Sequence, residues 1–365
     1  MKKILVITPF FYPHIGGSEQ YMESLYAFVK KEHPELKIDV LSYNTNDSLA
    51  FEKYRGLNVY RIPCITILKD QFLLPNPKAL VDFLDTHRDY DLIHTSTRFF
   101  DSSWWAPVFA KLIKSKVVLT DHCAYHPKSS NPLVNLIVRL IETTIVRFSL
   151  GFYDKVYVQN KKTGAFLKEN FGIKSKVAYP GLTVTKIKRQ ENKKLNVIYA
   201  GRMIKSKGVM ELFDIARKEK RVNFIFAGPG KLSEVLNRKA SKEKLGHIKI
   251  MGGVSKREVE KLLSKSDIFA YPSWHSEGIP MAILEAGEAG VSVVATDTGA
   301  IGEVIVNGKT GILVPPKDSK AFKNALDSLI NDKNLRINLS KNFSVYLKKN
   351  FSWDNASNLL LKELQ

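Results

Sequence analysis

Short apolar runs of strand length alternate with amphipathic stretches of helix length from one end of this 365-residue chain to the other, and this alternation constrains the fold most. Strands buried on both faces read as continuous Val, Ile and Leu, and helices between them make the strands parallel. A first series of strands is expected near residues 4–8, 38–42, 59–62, 92–94, 117–120, 155–158 and 176–179. A second is expected near 197–200, 223–227, 248–251, 268–271, 291–295 and 310–314. The polar stretch from Thr185 to Lys194 separates the two series. The expected fold is therefore α/β, with two Rossmann-like doubly wound parallel sheets facing a cleft. Domain bounds of 1–185 and 186–345 follow, leaving a final segment, 346–365. Such sheets bind ligands at the carboxyl ends of their strands.

At 44% hydrophobic residues the chain can bury a core in each domain, and neither a disordered nor a fibrous class fits. Its two cysteines, Cys64 and Cys123, are too few for a disulfide framework and lack metal-ligand spacing, so a reducing compartment is expected. The apolar start is broken by Pro9 and Pro13 and reads as a buried strand rather than a signal peptide, and no apolar stretch is long enough to span a bilayer. A cytoplasmic protein is expected, either free or on the cytoplasmic face of a membrane. The formal charge of +20 is concentrated between Lys186 and Lys265, with 22 Lys and Arg against 8 Asp and Glu. This favours phosphorylated ligands or a peripheral contact with anionic membrane, although scattered helix lysines also make a plain solvated face. No nucleic-acid-binding motif is present, so a nucleic-acid partner is not expected.

The most informative motif is Ser276-Glu277-Gly278-Ile279-Pro280-Met281-Ala282-Ile283-Leu284-Glu285, which follows the apolar run 268–271. If Gly278-Ile279-Pro280 opens a helix, Glu277 lies at its mouth and Glu285 about two turns inside. The amides between them, with the helix's partial positive charge, suit a phosphate or diphosphate. Eight positions of helical rise span about 12 Å, beyond the roughly 5–9.5 Å of a glycosidase's paired carboxylates. Two carboxylates gripping the two ends of a nucleotide-sugar fit this frame. The plainer reading is two ordinary glutamates at a helix start.

Two glycine-bearing loops stand where the cleft rule requires. Gly16-Gly17 follows the first strand and precedes a helix expected near Ser18-Glu19, so bare backbone can approach an anion there, although such a pair is also simply a turn. Gly201-Arg202-Met203-Ile204-Lys205-Ser206-Lys207-Gly208 opens the second series, with Arg202 offering a planar fork and Lys207 a point charge to a diphosphate. Both are also ordinary surface residue types.

Together these motifs resemble the retaining glycosyltransferases of family 4, with the GT-B fold. The resemblance rests on Pro13-His14-Ile15-Gly16-Gly17-Ser18-Glu19, the Gly201-Arg202 to Lys207-Gly208 segment, Gly228-Pro229-Gly230, the Glu277 and Glu285 pair, Thr310-Gly311-Ile312-Leu313-Val314 and Phe351-Ser352-Trp353. It covers nearly the whole chain. It implies that Glu285 bonds the ribose hydroxyls, that Glu277, Gly278, Ile279 and Met281 meet the transferred sugar, and that Arg202 and Lys207 neutralise the diphosphate. Gly16 and Gly17 would close over the phosphates from the other domain. His122 resembles the family histidine that contacts the donor sugar, but Cys123 and Ala124 are unusual followers and His126 competes for the role. The closing segment, 346–365, would cross back to the first domain.

Glycosyl transfer builds negative charge on the departing diphosphate and positive charge on the sugar ring, and fixed cations and amides stabilise that state without reorganising. No carboxylate nucleophile stands out. The resemblance implies attack on the face the diphosphate leaves, with the leaving phosphate taking the acceptor's proton. Asp89-Tyr90-Asp91 spells a metal-binding D-x-D but runs into a strand, so no metal and no cofactor are expected. The expected activity moves a hexosyl unit from a nucleotide-diphosphate sugar, UDP- or GDP-linked, to a hydroxyl of a glycan or lipid-linked acceptor. The alternatives are a non-catalytic nucleotide-sugar-binding subunit of a membrane-associated assembly and a phosphorylase of similar fold. The apolar loop Ile65 to Leu74 and the long helix Leu133 to Phe148, which carries Arg139 and Arg147, are either a packed loop and a core helix or contacts with a lipid surface.

Overall fold

The structure, a computed structural model, describes residues 1–14, 16–67, 72–127, 131–182, 190, 193–276 and 278–365. The chain divides into two compact units, one of Met1–Gly181 with Trp353–Gln365 and one of Leu182–Ser352. Residues 346–350 thus end the long helix Lys333–Asn350 of the second unit, and the return to the first unit begins at Trp353.

In the first unit the strands are β1 (Lys3–Ile7), β2 (Lys37–Asn44), β3 (Phe51–Tyr54), β4 (Leu57–Ile67), β5 (Phe72–Pro75), β6 (Leu92–Ser96), β7 (Lys116–Asp121), β8 (Lys155–Val158) and β9 (Lys176–Val177). Their order is β3-β4-β2-β1-β6-β7-β8-β9, with β5 pairing β4, and only the β3 and β5 pairings are antiparallel. Period-two alternation sends Ile4 and Val6 to one face and Leu5 and Ile7 to the other. The first face is covered by the helix Gly17–Glu32 through Met22, Leu25, Tyr26 and Val29, joined by Trp353 and Leu360 of the returning helix. The second is covered by Phe83, Ala106 and Phe109. A third cluster, including Leu119, Val146, Leu150, Leu167 and Phe171, lies under residues 132–171.

Two departures from the expected elements concern the antiparallel additions. The described ends of the expected loop from Ile65 to Leu74 are strand, pairing across β4 and β5 with Ile65 opposite Leu74 and Thr66 opposite Leu73. β3 reads Phe-Glu-Lys-Tyr and alternates between exposed and half-buried positions, an edge-strand pattern with no continuous apolar run to announce it.

The second unit is a sheet of β10 (Asn196–Ala200), β11 (Asn223–Ala227), β12 (Ile248–Gly252), β13 (Ile268–Tyr271), β14 (Ser292–Thr296) and β15 (Ile312–Val314), ordered β12-β11-β10-β13-β14-β15 and parallel throughout. Strand order reverses between β10 and β13, and in the first unit between β1 and β6. In a doubly wound sheet the connections part at such a point and leave a crevice at the carboxyl edge.

Candidate functional sites at the carboxyl edges

In the second unit the loops leaving β10, β11 and β13 lock together through their backbones. Gly228, at φ +137°, lies so close to Gly201 that a Cβ there would sit 2.0 Å from the Gly201 carbonyl oxygen. A Cβ on Gly230 would sit 2.4 Å from the Met203 carbonyl, and one on Gly208 2.1 Å from the Pro272 carbonyl. Amides close the same seams: Gly201 N donates to Ala227 O (2.9 Å), Met203 N to Pro229 O (2.7 Å) and Trp274 N to Ser206 O (3.0 Å). These glycines are required by close approach as well as by positive φ, and the result is a surface of main chain rather than side chains.

Lys207 is the buried cation of this edge, at 5% exposure, with Nζ donating to the Tyr271 hydroxyl at 3.2 Å. Arg202 is exposed, and its carbonyl accepts from the Tyr199 hydroxyl at 2.9 Å. The helix after β13 is Met281–Glu288, with Pro280 as its N-cap and, among the described residues, no side-chain cap on its first amides. It starts later than the sequence suggests, because the extended Pro280 precedes rather than opens it, so Glu285 lies about one turn inside and not two. Burial pushes the Glu285 carboxyl above its ordinary range, while Lys256 Nζ, 4.0 Å away, opposes the shift. Gly278 is exposed, Ile279 and Met281 are half-buried, and Glu277 lies outside the described residues.

In the first unit Gly16 is the extended N-cap of the helix Gly17–Glu32 and carries no side-chain cap. A Cβ at Gly16 would meet the Glu19 carboxylate at 2.2 Å, whereas the space around Gly17 is open. His122 follows β7, packed edge-on to Tyr21 at 5.3 Å between ring centres. Among the described residues its Nε2 is enclosed without a hydrogen-bond partner, and burial pulls its pKa down against the opposing pulls of Asp121 and a side-chain hydrogen bond with Gln159. His126 differs: Nδ1 lies 2.6 Å from Glu142 Oε2 and Nε2 lies 3.2 Å from Asn170 Oδ1, so both ring nitrogens are engaged.

The loop carrying both histidines hangs on a residue that no sequence motif marks. Arg98 is 1% exposed, paired with Asp121, and donates to the carbonyls of Cys123 (2.6 Å) and Tyr125 (2.7 Å). Glu142 Oε1 lies 3.6 Å from its Nη2. Phe99 and Phe166 stack on the guanidinium, at 4.1 and 4.8 Å from ring centre. Arg98 is preceded by Thr97 at φ +64°, a strained conformation for a β-branched residue and one that clusters at functional sites. Glu142 opens a π-helical turn, Glu142–Val146, within residues 132–150, and is the sole acidic residue of that apolar stretch. That lone acid was the available signal. The D-x-D residues are structural: Asp91 accepts from Lys3 N at 2.8 Å, Asp89 pairs with Lys3, and Tyr90 is buried with its hydroxyl on Asp39.

Two family models match consecutive halves of the chain: Glycosyltransferase Family 4 over residues 15–186 and Glycosyl transferases group 1 over 183–344. An uncharacterised glycosyltransferase of Methanocaldococcus jannaschii is 27% identical over 97% of this chain and 96% of its own length. The N,N'-diacetylbacillosaminyl-diphospho-undecaprenol alpha-1,3-N-acetylgalactosaminyltransferase of Campylobacter jejuni is 29% identical over 56% of this chain and 59% of its own. Among solved structures, Anabaena HepE in complex with UDP superposes with a TM-score of 0.79 at 18% identity, covering 100% of this chain and 99% of that one. With its two parallel-sheet units and both family models in sequence, the chain belongs to glycosyltransferase family 4 and has the GT-B fold.

Proposed function

We propose that this glycosyltransferase retains anomeric configuration, moving a hexosyl unit from a nucleotide-diphosphate sugar to a hydroxyl of a glycan or lipid-linked acceptor at the cytoplasmic face of a membrane. The observation that carries the reading is the main-chain edge of the second unit, where three strand-end loops meet glycine against carbonyl beside the buried Lys207. Bare backbone flanked by a desolvated cation and an uncapped helix start suits a diphosphate. In this reading Lys207 and Arg202 neutralise the leaving group, and Glu285 accepts hydrogen bonds from the ribose. Glu277 and the backbone of Gly278, Ile279 and Met281 hold the sugar. Gly16 and Gly17 offer amides to the phosphates, and His122, whose Nε2 lacks a partner among the described residues, bonds a sugar hydroxyl. These cations supply the charge that a metal ion would otherwise bring.

The acceptor oxygen forms its bond to the anomeric carbon on the face from which the diphosphate departs, and its proton passes to a leaving phosphate oxygen. The name of the Campylobacter relative includes a diphospho-undecaprenol acceptor, which supports a lipid-linked hydroxyl here. HepE was solved with UDP, so UDP-sugars lead the donor panel.

The test is a thermal-shift panel of UDP-, GDP- and ADP-sugars, followed by NMR of the product linkage in the presence of EDTA. One donor is expected to raise the melting temperature. Glu285→Ala abolishes that rise, and Glu277→Ala cuts turnover more than binding. With donor alone, slow release of nucleotide separates an enzyme from a binding subunit, and its indifference to orthophosphate separates a transferase from a phosphorylase. A product of inverted configuration, or no shift with any nucleotide sugar, overturns the proposal.

A further inference from the structure

Residues 132–150 form one continuous helical stretch, made of Pro132–Ile141, the π turn Glu142–Val146 and Arg147–Leu150. Val138, Glu142, Val146 and Leu150 recur every four residues along its buried side. A straight α-helix would rotate such a row away from the core, and the π turn's wider spacing holds it there. The opposite side is apolar as well. Leu133 (63%), Leu136 (67%), Ile137 (49%), Leu140 (62%) and Phe148 (68%) are all exposed along one stripe. A single exposed leucine needs no explanation, but these five large apolar side chains, with Ile145 of the same helix also exposed, do.

Charge says what covers them. Arg139 and Arg147 are exposed beside the stripe, and the helix's only acid, Glu142, is buried against Arg98 and His126. Residues 111–181 carry 12 Lys and Arg against 4 Asp and Glu. Of those four acids, Asp121 and Glu142 are buried and Asp154 is bound to Lys111, leaving Glu169 as the one acid without such an engagement among the described residues. A second copy of the chain seated on this face would set the same arginines against each other, whereas a sheet of lipid phosphates complements them. Among the described residues no helix is long and apolar enough to cross a membrane, so the geometry is that of a helix lying in the interface.

We propose that residues 132–150 seat in the headgroup layer of an anionic bilayer, with Leu133, Leu136, Ile137, Leu140 and Phe148 entering the acyl boundary and Arg139 and Arg147 meeting lipid phosphates. The purpose of this contact rests on the reading of the acceptor as lipid-linked, but the contact itself needs neither donor nor acceptor and is measured without them. The full chain is sedimented with vesicles of phosphatidylcholine alone and of phosphatidylcholine mixed with phosphatidylglycerol. Binding to the mixed vesicles is expected, weakened about tenfold or more by the combined Leu133→Ser, Leu140→Ser and Phe148→Ser changes. Arg139→Gln with Arg147→Gln should remove most of the preference for the anionic lipid, about fivefold per arginine. Because all five side chains are exposed, both variants should fold, and the donor-induced thermal shift checks this independently. Equal vesicle binding by wild type and the serine variant, or none by either, overturns the proposal. So does a wild-type dimer in solution that the serine variant lacks, because the face would then belong to a second copy.

Discussion

Arg98 and Asp121, both buried, pair across the carboxyl ends of β6 and β7, and the same guanidinium holds the carbonyls of Cys123 and Tyr125. The loop bearing His122 is thereby fixed from beneath by a charge with no access to water. Removing one member of a buried ion pair leaves the other uncompensated, which costs far more than the pair contributes. Here Asp121 would lose its cationic partner, and Glu142 would keep only His126. Arg98→Ala should destabilise the protein by about 3–5 kcal/mol in urea unfolding. Arg98→Lys, which keeps the charge but cannot reach both carbonyls and both acids with a single ammonium, should cost less while still loosening the loop. A loss below about 1 kcal/mol for Arg98→Ala would show that the network does not hold the loop.

The glycines divide into two kinds with opposite expected outcomes. At Gly228 a methyl group would strike the Gly201 carbonyl in a backbone conformation alanine resists, so Gly228→Ala should lower the melting temperature and erase the donor-induced shift. At Gly17, the first residue of its helix, nothing obstructs a methyl group, and alanine removes freedom from the unfolded chain. Gly17→Ala should therefore stabilise the apo protein by about 0.4–1 kcal/mol while weakening donor binding, because the new methyl occupies the space a phosphate would enter. Calorimetric melting with and without donor reads both effects. An unchanged donor affinity would remove Gly17 from the phosphate contacts.

The main strands were legible in the sequence because buried parallel strands are continuous apolar runs, and β10, β11 and β13 each end at a glycine or proline that announces the loop. β3 escaped because an edge strand four residues long with alternating exposure looks like polar loop. β5 escaped because its stretch reads as a loop until it is seen paired to β4. The Arg98, Asp121 and Glu142 cluster escaped for another reason: its members lie 23 and 44 residues from Arg98, and nothing local marks one charge as the partner of another. The apolar helix at 132–150 was visible as a segment, but periodicity cannot tell an apolar stripe packed on a core from one facing outward. Both sides of this helix carry apolar residues, and only the fold shows which row is covered.

Glu285 predicts a pH dependence of donor binding. Burial raises its pKa above the ordinary 4.5, and Lys256 partly offsets this. If the carboxylate accepts the ribose hydroxyls, affinity is full above the raised pKa and declines as the pH falls through it, by about fivefold for the loss of a charge-assisted bond. Lys256→Met removes the offsetting charge and should move the decline to higher pH. Glu285→Gln should bind weakly at every pH. Titration calorimetry across the acidic range measures all three, and a wild-type profile matching that of Glu285→Gln would exclude the carboxylate from the ribose.

His94 sets the acid limit of the first unit. It is buried between the Tyr26 hydroxyl, 2.6 Å from Nδ1, and Thr120 Oγ1, 2.8 Å from Nε2. Burial, with a smaller contribution from His122, pulls its pKa from 6.5 down to about 3. Below about 6.5 the unfolded chain therefore takes up a proton that the folded one refuses. Stability is complete above that pH and falls as the pH drops from about 6.5 towards 3, by at most about 1.4 kcal/mol per pH unit from this group. Carboxylates titrate in the same range, so the informative quantity is the difference in slope between wild type and His94→Gln. The variant should start less stable, having lost a hydrogen-bonded ring from a packed site, but its stability should fall less steeply between pH 6 and pH 4, a range within which the wild-type imidazole stays neutral. Parallel slopes in urea unfolding would mean that His94 gains its proton in the folded state as readily as in the unfolded one.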